Sequence, residues 1–112
     1  MAKLDHLVVM VNSLAEGVAW CEATLGVTPG PGGEHPLMGT HNRLLRVASA
    51  EFPDAYLELI AINLNANYLY RTWENRWFDM DNALIRENVA QNGPQLIHLV
   101  ASVPDGGSTS LE

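Results

Sequence analysis

The chain has 112 residues, of which 47% are apolar and 17% charged, with thirteen acids against six bases for a net charge of −7. That length suits one small domain, the composition excludes intrinsic disorder, and no apolar run approaches the roughly 20 residues of a membrane span. The acidic balance argues against nucleic acid and anionic membrane surfaces as partners, while the single cysteine, Cys21, rules out an internal disulfide framework or a cysteine-built zinc site. Residues 1–5 lack the apolar segment of a secretory signal, so the expectation is a soluble, cytoplasmic protein.

Residues 4–11 (LDHLVVMV) read as a strand. Leu4, His6, Val8 and Met10 fall on one face and Asp5, Leu7, Val9 and Val11 on the other; the second face is apolar after Asp5 and the first is apolar except for His6, as in a strand covered twice. A helix follows. Ser13 is its N-cap with Glu16 three residues on, Leu14, Val18, Cys21 and Leu25 form one stripe, and Gly26 stops it. Cys21 on that stripe reads as a small core residue rather than a reactive thiol, because no basic neighbour would lower its pKa.

Residues 27–42 are rich in Gly and Pro and predict a short edge strand with turns. Residues 44–48 and 55–62 predict two more strands, the second with Tyr56, Glu58 and Ile60 on one face and Leu57, Leu59 and Ala61 on the other. Residues 63–81 have no clear period; Trp73 and Trp77, four apart, would share a face of a short helix. Residues 82–92 predict a helix ended by Asn92-Gly93-Pro94, residues 96–103 a final strand, and residues 105–112 a flexible tail whose end reads as a cloning scar or as native chain.

Residues 4–13 (LDHLVVMVNS) and 96–105 (LIHLVASVPD) form a partial repeat, with Leu4/Leu96, His6/His98, Leu7/Leu99, Val8/Val100 and Val11/Val103 identical. The chain therefore reads as a βαβββ unit followed by the opening strand of another. His6, Glu58 and His98 are each a polar residue on an otherwise apolar strand face. Two imidazoles and a carboxylate suit Zn, Ni, Mn or Fe as divalent ions; each histidine alone equally suits a hydrogen-bonded core position.

These segments, together with LGV at 25–27, PGGEHPLMGTHNRLL at 31–45 and AYLELIAI at 55–62, resemble the vicinal oxygen chelate superfamily and more closely its glyoxalase-like branch. The resemblance implies an α+β fold: a βαβββ module with a curved mixed sheet, here with a helical insert and a fifth strand. It implies a domain over 1–104, divided into a module at 1–62, an insert at 63–95 and the first strand of an incomplete second module at 96–104. In metal-dependent members of the superfamily the ligands lie on the first and last strands of each module. Carried over, they fall on His6, Glu58 and His98, and the fourth has no position here.

The resemblance implies a small-molecule protein: a metal-dependent lyase, isomerase or dioxygenase, a metal-free binding module of the bleomycin-resistance type, or an inactive truncated scaffold. His41, Arg43, Tyr56 and Trp73 are the candidate substrate-binding residues. His35 and His41 could line a cup mouth, act as an acid or base, or be exposed loop histidines; Arg43 and Arg46 could hold a carboxylate or be solvated. Trp73, Trp77, Tyr68 and Tyr70 read equally as an aromatic wall and as a sheet or interface cover. A lone module would expose Leu4, Val8, Met10, Tyr56 and Ile60 on its concave face, which predicts a homodimer, with or without exchange of residues 96–103, the alternative being a fragment of a longer chain.

Overall fold

The computed structural model describes residues 3–35, 39–47, 50, 55–63, 80–102 and 108–111. Strand β1 (Lys3–Met10) leads into helix α1 (Leu14–Leu25), then β2 (Gly30–His35), β3 (Thr40–Arg46), β4 (Tyr56–Ile62), helix α2 (Ala83–Asn92), β5 (Gln95–Ser102) and β6 (Ser108–Leu111). The strands form one curved mixed sheet in the order β2-β3-β4-β1-β5-β6. β1 and β4 run parallel, and every other neighbouring pair is antiparallel. This is the expected α+β arrangement. The aromatic segment with Tyr68, Tyr70, Trp73 and Trp77 lies outside the described residues.

Local chemistry sets the helix ends. Ser13 Oγ accepts from the Glu16 N–H at 3.1 Å, satisfying one of the amides that a helix start leaves unpaired, and Gly26 closes the helix at φ 70°, a left-handed position that glycine takes without a side-chain clash. Asn82 caps α2 by accepting from the N–H groups of Leu84 and Ile85. The buried residues of α1 are Gly17 and Cys21. Leu25, expected on the same stripe, is 47% exposed.

Among the described residues a core lies on each face of the sheet. Under α1, Val9, Val11, Cys21, Leu57, Leu59 and Ala61 pack together, flanked by Leu7, Leu14, Trp20 and Leu45. On the concave face, Val8, Met10 and Ile60 pack with Met80 and with Val89 of α2. This corrects an expectation. Val8, Met10 and Ile60 are at most 3% exposed, because α2 folds back over their end of the face; each such side chain removed from water contributes about 1.5–3 kcal/mol. Leu4 and Tyr56, beyond the reach of α2, are half-buried.

Two further differences concern strand limits. The strand expected from residue 44 starts at Thr40, because Thr40, His41, Asn42 and Arg43 pair with Ile62, Ala61, Ile60 and Leu59 of β4. The stretch 105–112, flexible by composition, contains β6, whose backbone pairs with β5; β5 offers it an open row of backbone donors and acceptors.

The sequence repeat has a direct counterpart in the sheet. β1 and β5 are antiparallel neighbours with Leu7 opposite Leu99, His6 opposite Val100 and Val8 opposite His98. These are equivalent positions of the repeat, so a local two-fold passes between the two leucines. His6 and His98 therefore lie diagonally on one face of the sheet.

Candidate functional site

The open end of the concave face carries the candidate site. Parallel pairing sets His6 beside Tyr56 and Val8 beside Glu58, and β3 sets Leu44 beside Glu58 and Asn42 beside Ile60. Residues opposite one another project to the same face, so His6, Tyr56, Glu58, Leu44 and Asn42 meet there. With His35 from β2 and Val100 from β5 they line a concavity of about 300 Å³.

A chain of polar contacts runs through this wall. Asp5 Oδ1 lies 3.0 Å from His6 Nδ1, and His6 Nε2 lies 3.5 Å from Glu58 Oε1. Asn42 Nδ2 donates to Glu58 Oε2 at 2.7 Å and lies 3.5 Å from His35 Nε2. His35 Nδ1 is 3.0 Å from the hydroxyl of the buried Thr40. An ionised Asp5 only accepts, so His6 Nδ1–H donates to it, and Nε2 is the ring nitrogen that faces Glu58. The His6 ring also stacks on Tyr56, with centroids 4.5 Å apart and planes 9° from parallel.

Burial and charge oppose each other here, and charge wins. Desolvation alone would lower the His6 pKa, but hydrogen bonds and charges from Glu58 and Asp5 raise it above 6.5. Desolvation alone would raise the Glu58 pKa, but hydrogen bonds from His6 and Asn42 and the charges of His6 and His35 lower it below 4.5. Glu58, 6% exposed, is thus a buried carboxylate. Desolvation, then the charges of Asp5 and Glu58, push the Tyr56 phenol up.

The donors fit a divalent metal in chemistry and partly in geometry. Two ligand atoms on one tetrahedral zinc stand about 3.4 Å apart, close to the 3.5 Å between His6 Nε2 and Glu58 Oε1. His98 is buried on the same face, diagonal to His6. As they stand, no three His, Cys, Asp or Glu side chains among the described residues are grouped to hold a metal ion.

The other sequence-predicted site residues divide. Tyr56 is in the concavity. His41 and Arg43 are not: they pair with Ala61 and Leu59 on the α1 face and line a groove with Leu14, Ala15 and Val18. Strand alternation is the reason, since odd positions of β3 point away from Glu58. Trp73 lies outside the described residues. Sequence reasoning missed Asn42 and Asp5 as partners of the candidate ligands. Asn42 is two residues before Leu44, so extending the strand back to Thr40 would have placed it on the Glu58 face. Among the described residues no helix is long and apolar enough to cross a membrane.

The family model of the glyoxalase-like domain matches residues 4–110. This chain belongs to the glyoxalase-like domain family. The domain lies within the vicinal oxygen chelate superfamily, as the sequence resemblance implied. No curated protein matches its sequence. Among solved structures, the glyoxalase-like domain is similar to a variant of Streptomyces coelicolor methylmalonyl-CoA epimerase in complex with 2-nitronate-propionyl-CoA, at 16% identity and a TM-score of 0.58 over 90% of this chain and 61% of that one. It is also similar to Mycobacterium tuberculosis methylmalonyl-CoA epimerase (21% identity, TM-score 0.54, 91% of this chain and 57% of that one). A hypothetical protein from Bacillus halodurans aligns at 17% identity and a TM-score of 0.56, over 91% of this chain and 59% of that one. The glyoxalase-like domain thus spans about three fifths of the length of these structures; at such identities the likeness is one of fold.

Proposed function

We propose that this glyoxalase-like domain is part of a divalent-metal-dependent small-molecule enzyme of the isomerase or lyase type, with its site in the concavity beside His6 and Glu58. The observation that carries the reading is the 3.5 Å approach of His6 Nε2 to Glu58 Oε1, two metal-type donors on adjacent strands of a half-open face. His98, related to His6 by the local two-fold, is the third donor. A bound divalent ion would polarise two vicinal oxygens of a substrate and stabilise developing enolate charge.

The chain's own residues do the rest. Asp5 fixes the tautomer of His6, and Tyr56 holds its ring plane by stacking. Leu44 and Val100 supply apolar wall to the concavity. His35, outside the donor set, is the group left to move a proton, its ring anchored through Nδ1 on Thr40. The substrate class is a small acid, ester or thioester with adjacent oxygens; the Streptomyces coelicolor epimerase structure is in complex with 2-nitronate-propionyl-CoA. A homodimer located in the cytoplasm is part of the same proposal.

The test is metal content by elemental analysis on wild type and His6→Ala, with the oligomeric state fixed by light scattering. The expected result is about one metal per chain or per dimer, lost in the variant. Solvent deuterium uptake at the carbon beside a substrate carbonyl should then fall at least ~100-fold in His35→Ala with the metal retained. No metal after incubation with Zn²⁺, Ni²⁺, Mn²⁺ or anaerobic Fe²⁺ would overturn the reading in favour of a metal-free binding module.

A further inference from the structure

The glycine-rich strand β2 meets the candidate metal face through His35 and, at Asn42, through the Gly32–Gly33 backbone. The Gly33 N–H lies 2.8 Å from Asn42 Oδ1. A backbone N–H can only donate, so the amide atom facing it is the oxygen, and the amide orientation is settled without reference to Glu58. The NH₂ end must then face the other way, and it donates to Glu58 Oε2 at 2.7 Å. Glu58 is left with Oε1 turned toward His6 Nε2.

Gly32 locks this arrangement. A Cβ at position 32 would fall 2.2 Å from Asn42 Oδ1 and 2.3 Å from its backbone carbonyl oxygen. Real Cβ atoms do not approach so closely, and backbone cannot give way as a flexible side-chain end does. Only glycine lets β2 lie against Asn42 at this distance. A glycine pair on the edge strand therefore holds the amide that ties one oxygen of a buried carboxylate.

We propose that Asn42 is a positioning residue: held by the Gly32–Gly33 backbone, it ties Glu58 Oε2 and reserves Oε1 for the metal. This rests on the metal reading above. Outer partners of a metal ligand characteristically change metal affinity about 10–100-fold when removed, and one carboxylate oxygen held by a neutral donor restrains the other without competing for the ion.

The experiment measures Zn²⁺ and Ni²⁺ affinity on the full chain by competition with a chromophoric chelator, with circular dichroism and melting temperature alongside. Asn42→Ala removes the amide, and Gly32→Ala displaces it while keeping every polar group; the second decides the question if the first fails to fold. Cys21→Ala, in the core under α1, lowers stability without touching the concave face and should bind metal as wild type does. The expected result is about 10–100-fold weaker binding in both site variants. Wild-type affinity in a folded Asn42→Ala would overturn the positioning role and leave the metal reading standing. Failure of wild type itself to bind would overturn the metal reading, and this proposal with it.

Discussion

Leu7 and Leu99 face one another across the β1–β5 ladder, at equivalent positions of the sequence repeat. Antiparallel pairing about that point is what sets His6 and His98 on one face. Diagonal positions on a sheet face are about 7–8 Å apart, within reach of long or aromatic side chains. If both histidines serve one ion, His98→Ala should weaken metal binding about as much as His6→Ala, at least ~10-fold. Competition titration on the two variants checks this; loss in only one would break the equivalence.

The Tyr56 ring should hold His6 by stacking rather than through its hydroxyl, since the ring is what contacts His6. Tyr56→Phe is expected to change unfolding free energy by less than ~0.5 kcal/mol. Tyr56→Ala should cost about 1–3 kcal/mol, combining lost apolar burial with the lost aromatic pair. Urea melts of the two variants separate the alternatives, and equal losses would assign the effect to the hydroxyl.

Without metal, stability should depend on pH through the His6–Glu58 pair. Glu58 has a lowered pKa in the folded chain, so its contribution is present above 4.5 and is lost as pH falls through the folded value. His6 has a raised pKa, so its contribution is complete below 6.5 and is lost as pH rises through the folded value. The two together predict greatest stability between about pH 5 and 6.5. Denaturation midpoints at pH 4, 6 and 9, in the presence of a chelator, should show that maximum in wild type and flatten in Glu58→Gln.

α2 is expected to act as a lid on half of the concave face. Val89 is its buried residue, packed among Val8, Met10 and Ile60. Val89→Ala should destabilise by about 1–3 kcal/mol and increase binding of a hydrophobic dye. Leu84, 76% exposed on the same helix, should tolerate Ser within ~0.5 kcal/mol. A dye response from Leu84→Ser but not from Val89→Ala would reverse the assignment of faces.

The N-cap of α1 gives a local test. Ser13→Ala removes the acceptor of the Glu16 N–H and should cost about 1 kcal/mol. Ser13→Asp, which keeps an acceptor, should restore most of it, read as the shift in thermal midpoint.

Much of the fold was legible because it is written in short-range patterns. Period-two alternation marked β1, β4 and β5, and capping chemistry marked both ends of α1. His6 and Glu58 stood out as polar residues on apolar strands, and they do meet. The strand start at Thr40 was not legible, because His41-Asn42-Arg43 is polar throughout and only its pairing with β4 makes it a strand. That single difference hid Asn42 and left His41 and Arg43 without a face.

The sequence by itself determined the order of elements from β1 to β5, the repeat and the identity of the candidate donors, since these depend on residue type and spacing along the chain, whereas β6 exists only through its pairing with β5. Tertiary structure decided what shares a face. It placed α2 over Val8, Met10 and Ile60, turned His41 and Arg43 toward α1, and brought Gly32, Gly33 and Asn42 against the wall that holds Glu58. Those outcomes depend on register and on backbone approach between segments far apart in the chain, and a one-residue change of register would have reversed each face.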